Sequence, residues 1–159
     1  FYVAYLVGGV GMSLVSVGVH FAILQTAGAV SRVALGWLVD RIGSARRTLV
    51  SVSILGAVMA LGVSAIQPDW PTLVLVVVSL LAGIGSSGFY GVFLAEIARM
   101  GTGRGVGFAT GGVLFIVYWA VAAGPLMIAA IVGFSGSYLP ALWVVSGLCV
   151  IAAVVFCRL

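Results

Sequence analysis

Residues 36–47 read GWLVDRIGSARR, which sets one Asp and three Arg in a chain that otherwise avoids charge. Only 6% of its 159 residues are charged, against about 25% in a soluble domain. Some 64% are hydrophobic and the mean hydropathy is +1.36. A chain this short has no interior large enough to hide so much apolar surface from water. Composition therefore defines an integral membrane protein, and residues 36–47 mark a place where the chain leaves the hydrocarbon.

Working outward, apolar segments lie on both sides of that stretch, at about 13–39 and 48–66, and three more follow at about 72–95, 107–133 and 139–157. Each can cross a hydrocarbon core of roughly 30 Å, which takes about 20 helical residues. Residues 1–7, FYVAYLV, have the composition of the end of an earlier span. Lipid offers no partner to an open sheet edge, so helices are expected. The expected fold class is all-α, a polytopic membrane helical bundle. The breaks between segments carry turn chemistry: GGVGMS (8–13), QPDWP (67–71), EIARMGTGRGVG (96–107) and GFSGSYLP (133–140).

Charge gives an independent check on these spans. Connections alternate between the two membrane faces, which puts Arg41, Arg46, Arg47, Arg99, Arg104 and Arg158 on one side and Asp69 alone on the other. Cytoplasmic loops are enriched in Arg and Lys, so GWLVDRIGSARR is expected in the cytoplasm. The net charge of +4 has the same origin and does not point to nucleic acid. Trp37 falls near the inner boundary and Trp70, Tyr138 and Trp143 near the outer one, as an interfacial aromatic belt requires. Cys149 and Cys157 are about 12 Å apart along one helix, too far for a disulfide. No cleavable leader pattern is present, and the first residue is Phe, which suggests a piece of a longer protein. The expected location is a bacterial inner (plasma) membrane.

A few polar residues fall inside the apolar segments. Arg32 precedes Asp40 by about 12 Å of helix. A cation at that depth is costly and usually faces protein or water. Gln25, Gly28, Arg32 and Gly36 share one stripe, whose small residues suit a helix neighbour. Arg32 either lines a solute path, attracting an organic anion, or snorkels inward. His20, nearer the outer side, is the one side chain here that ordinarily changes charge between about pH 5 and 8, and it is a candidate for proton coupling. Tyr90, Tyr118 and Trp119 are candidates for contact with solute, with aromatic packing as the plainer alternative. One His, three acids and two cysteines on one helix provide neither a nucleophile with its base nor a cluster of metal ligands, so an intramembrane enzyme is disfavoured and no cofactor is expected.

GWLVDRIGSARR resembles the signature loop of the major facilitator superfamily: Gly, three residues, Asp, a basic residue, one residue, Gly, then basic residues. Gly36, Asp40, Arg41 and Gly43 match in register. Ser44 and Ala45 stand where basic residues are usual, and Arg46 and Arg47 follow two positions later. The resemblance implies a partial major facilitator fold. SLLAGIGSSGFYG (79–91) lacks the Arg of that family's fourth helix, and GSYLPALWVVSGL (136–148) looks like its link between helices eleven and twelve. Residues 1–159 then form a partial C-terminal transmembrane bundle, from the end of helix seven to helix twelve. Gly111, Gly124 and Pro125 partly fit a fifth-helix motif of the other half, with Ala120 where a Gly is usual.

What the resemblance implies about function is secondary active transport of a small solute by alternating access, with a gate at the inner mouth. Asp40 is expected to face a helix N-terminus of the missing N-terminal half, and Arg41 to pair with Glu96. Gly36 and Gly43 are expected to permit a close helix approach and a tight turn. The partners expected are the solute, the lipid bilayer and the absent half. No Gly-rich, Lys-bearing phosphate loop is present, so direct ATP use is unsupported. The alternative is an incomplete or accessory membrane bundle without transport activity of its own.

Overall fold

Each long helix starts and stops where the chain supplies the chemistry to do so. The computed structural model describes residues 1–101 and 105–158. A short α1 (Tyr2–Ala4) runs into a π-helical turn (Tyr5–Gly9). It is followed by α2 (Leu14–Ile42) and α3 (Ala45–Ser64). Next come α4 (Thr72–Ser87) and α5 (Phe89–Met100), then α6 (Val106–Ser135) and α7 (Leu139–Arg158). No strand occurs among the described residues.

Ser13 opens α2, its hydroxyl accepting the Ser16 N–H at 3.3 Å. Gly43 closes α2 at φ 69°, a left-handed conformation that glycine adopts without a Cβ penalty. Ser44 opens α3 at once, its hydroxyl accepting the Arg47 N–H at 3.3 Å. A stop and a start on adjacent residues make the turn between α2 and α3 very short. Pro71 precedes α4, and Gly136 closes α6 at φ 66°.

Five segments are long and apolar enough to cross a membrane: α2, α3, α4 with α5, α6, and α7. The third of these, Thr72–Met100, is interrupted at Gly88, whose φ of −65° and ψ of −30° are nonetheless helical. It runs five residues beyond the end expected at 95, and α2 ends three residues beyond 39. Both extensions carry a helix through the polar boundary, because charged side chains at a helix end can reach water while the backbone stays hydrogen-bonded.

The packing is built on small residues. α4 lies beside α2 in parallel: a Cβ at Gly83 would collide with the Leu24 carbonyl oxygen, and one at Gly28 would come within 2.9 Å of Ser87 Cβ. On its other side α4 meets α3, where a Cβ at Gly85 would lie 2.8 Å from Gly56 Cα. Apolar surface gives helices no reason to associate in lipid, so close backbone approach of this kind is what holds them. α7 runs antiparallel to α3: the Ser146 hydroxyl donates to the Ala57 carbonyl at 3.0 Å, and Arg46 donates to the Cys157 carbonyl. At the end away from the arginine-rich turn, Leu6 is 1% exposed, the Tyr5 hydroxyl donates to the Ser64 carbonyl at 3.0 Å, and Tyr5 meets Tyr138 edge-on. α6 differs from the rest. It meets α5 and α7, and none of its residues is buried.

Candidate functional site

The contact between α2 and the α4–α5 pair brings together residues far apart in sequence. Gly91 lies under Arg32, where a Cβ would come within 3.0 Å of the Arg32 carbonyl oxygen. Gly88 is tighter still, since its Cβ would fall 2.7 Å from Leu35 Cδ1 and 2.9 Å from Ser31 Oγ. With the backbones this close, Arg32 reaches across. Its Nε donates to the Ser87 carbonyl at 3.3 Å, and its guanidinium carbon stands 5.6 Å from the centroid of the Tyr90 ring. Ser87 is the last residue of α4, where helix carbonyls are available to outside donors. The ring face adds a cation–π contact. Thus Arg32 is oriented at two points, its side chain remains exposed, and its two Nη groups have no partner among the described residues.

The same helix face continues outward through Gly28, Leu24, His20 and Val17, all buried. The offset that pairs Leu24 with Gly83 sets His20 level with Ser79. His20 is 5% exposed. Its Nδ1 lies 2.8 Å from the Ser16 carbonyl oxygen, and a carbonyl can only accept, so Nδ1 carries the proton. Nε2 is buried and has no hydrogen-bond partner among the described residues. Nearby in register, Ser79 donates to the Leu75 carbonyl at 2.7 Å and so must accept from the Tyr2 hydroxyl at 2.8 Å. Gln25 points away and is exposed, so the expected stripe divides: Gly28 packs, Arg32 reaches the edge, and Gln25 takes no part in the contact.

At the turn between α2 and α3 the expected pairing of Arg41 with Glu96 is not made. Glu96 pairs with Arg99 at 3.4 Å, its neighbour one helical turn on. Arg41 instead lies over the Trp37 ring, 4.6 Å from the centroid. Both contacts join residues three or four apart on one helix, so they form without bringing two helix ends together. Asp40 is exposed and has no ion pair among the described residues. Nothing lies within 4 Å of a Cβ at Gly36, so the close approach expected there is made lower down, at Gly28 and Gly83. Arg46 caps the end of α7 through the Cys157 carbonyl, and Arg47 is exposed. Arg104 lies outside the described residues.

Tyr118 and Trp119 are both exposed on α6, with Trp119 edge-on to Phe115 at 6.4 Å. Sequence reasoning passed over Tyr2, Ser31 and the Ser87 carbonyl, and took Ser79 for a packing residue only. Ser79 and Ser87 carried a signal, since they share the 79, 83, 87 spacing of a packed face. Tyr2 and a main-chain carbonyl carried none.

A bundle of apolar helices joined by basic turns on one side is an integral, multi-pass, all-α membrane protein. The sequence profile of the Major Facilitator Superfamily matches residues 1–159, and the chain belongs to that superfamily of transporters. Comparisons with curated proteins and with solved structures found no match.

Proposed function

We propose that the chain is the C-terminal bundle of a secondary transporter that carries a small organic anion by alternating access. One observation carries this reading. Arg32 is oriented by Ser87 and Tyr90 while both Nη groups stay open. A guanidinium held by its Nε presents its remaining donors as a fork suited to a carboxylate or phosphate. A purely structural arginine at such depth is expected to have its donors satisfied by protein. The exposed face of α6, with Phe115, Tyr118 and Trp119, supplies the opposite wall of the path once the companion bundle is present. The absence of an Arg in 79–91 and the form of 136–148 support the C-terminal assignment. Asp40 and Arg41, left without partners from another helix, are free to engage the companion bundle and close the inner mouth.

The test is uptake into proteoliposomes holding the full-length protein, across carboxylates, phosphates and neutral solutes. Arg32→Gln should lower kcat/KM for the carried anion by roughly tenfold or more, the loss of one charge-assisted contact, and Arg32→Lys should retain part of it. Equal handling of anions and neutral solutes by the wild type and Arg32→Gln would refute the anion reading.

A further inference from the structure

The groove between α3 and α7 has a second kind of chemistry, independent of the solute path. At its arginine-bearing end is an open cavity of about 690 Å³ lined by Ser44, Arg46, Arg47, Val50, Ser51 and Cys157. Arg46 gives one guanidinium nitrogen to the Cys157 carbonyl, and Arg47 has no acidic partner among the described residues. The start of α3, with the positive end of its helix dipole, opens on the same place. Val50 and Cys157 also belong to a second cavity of about 430 Å³, which continues along the two helices. Its walls include Ile54, Val58 and Leu61 of α3 and Val150 and Val154 of α7. The polar side chain on this wall, Ser146, is turned inward and bonded to the Ala57 carbonyl. From Val50 to Leu61 the groove spans about 17 Å of helix, close to one leaflet of a core roughly 30 Å thick.

We propose that this groove is a binding site for one acidic phospholipid, its phosphate between Arg46, Arg47 and Ser51 and one acyl chain along Val50–Leu61. The two halves of the site match the two halves of such a molecule and lie in the right order. Two arginines without an acidic partner among the described residues head the groove, and an apolar channel leads from them along α3 and α7. A soluble anion has no use for the channel, and a zwitterionic lipid brings the arginines a phosphate but no net negative charge. Basic recesses between helices on the cytoplasmic side are where anionic headgroups collect. A second copy of the chain fits less well, because it would bring its own arginines against these.

The experiment uses the full-length protein in a neutral detergent and native mass spectrometry, with phosphatidylglycerol, phosphatidylcholine and glycerol 3-phosphate as probes. Phosphatidylglycerol is expected to bind at least roughly tenfold more tightly than phosphatidylcholine. Arg46→Gln with Arg47→Gln should bring the two lipids within about twofold, and Arg46→Lys with Arg47→Lys should preserve the preference. Val154→Trp, which fills the channel and leaves the cations, should weaken phosphatidylglycerol without changing retention of glycerol 3-phosphate. No preference in the wild type would overturn the proposal, as would full competition by glycerol 3-phosphate. So would a dimer that survives both double substitutions and excludes lipid.

Discussion

His20 is buried with one ring nitrogen that has no hydrogen-bond partner among the described residues. A packing residue at that position has no use for an imidazole, since an unpaired buried nitrogen costs about 1–3 kcal/mol. Nδ1 is held by the Ser16 carbonyl, which leaves Nε2 as the ring nitrogen without a hydrogen-bond partner among the described residues. Its place in register with Ser79 and Tyr2 puts it among the few polar side chains of the interior. If His20 carries the coupling proton, His20→Gln should abolish uptake driven by a pH gradient while leaving solute exchange without a gradient. Loss of both together, in protein that remains folded, would assign the residue to packing instead. The sequence displayed this histidine plainly, but the vacancy at Nε2 depends on which neighbours α2 and α4 bring to it.

The next scale is the contact between helices, and here glycines decide. Gly83 sits where the Leu24 carbonyl leaves no room for a side chain, so Gly83→Ala should destabilise the protein by about 1–3 kcal/mol through forced separation of α2 from α4. At Gly18 nothing lies within 4 Å, and Gly18→Ala should be neutral or slightly stabilising, since alanine favours a helix by up to about 1 kcal/mol. Thermal unfolding in detergent compares the two. Equal effects would mean that α2 and α4 are not held by backbone approach. Ser79, Gly83, Ser87 and Gly91 recur every four residues in the sequence, the spacing of a face that packs on a neighbouring helix. Which glycine was critical could not be read there, because helical periodicity fixes the face of a residue but not the distance to its neighbour.

At the scale of the whole molecule, α6 and the turn between α2 and α3 are incomplete in the same sense. α6 presents thirty residues with none buried, and Asp40 has no partner among the described residues. Both fit a bundle made to work against a companion. If Asp40 meets a helix N-terminus of the companion bundle proposed above, Asp40→Asn should slow uptake severalfold, the effect of about 0.3–1 kcal/mol at a helix end. Membrane insertion should be unaffected. Uptake rates equal to wild type, at matched expression, would count against a gate at this turn. Arg41 gives the same lesson from the opposite direction. The family resemblance implied a partner on another helix, yet in this chain the guanidinium settles on Trp37, one turn back.

The sequence by itself determined that this protein lives in a bilayer, that it is built of helices, about where each long helix lies, and to which superfamily it belongs. Those properties follow from local quantities: apolar length, turn residues and the side on which arginine falls. The tertiary structure alone decided that Arg32 meets Ser87 and Tyr90, that His20 keeps an open nitrogen, that Glu96 turns to Arg99, and that two arginines head a greasy channel between α3 and α7. Each of these depends on how near two helices come, which is set by steric fit between residues dozens of positions apart.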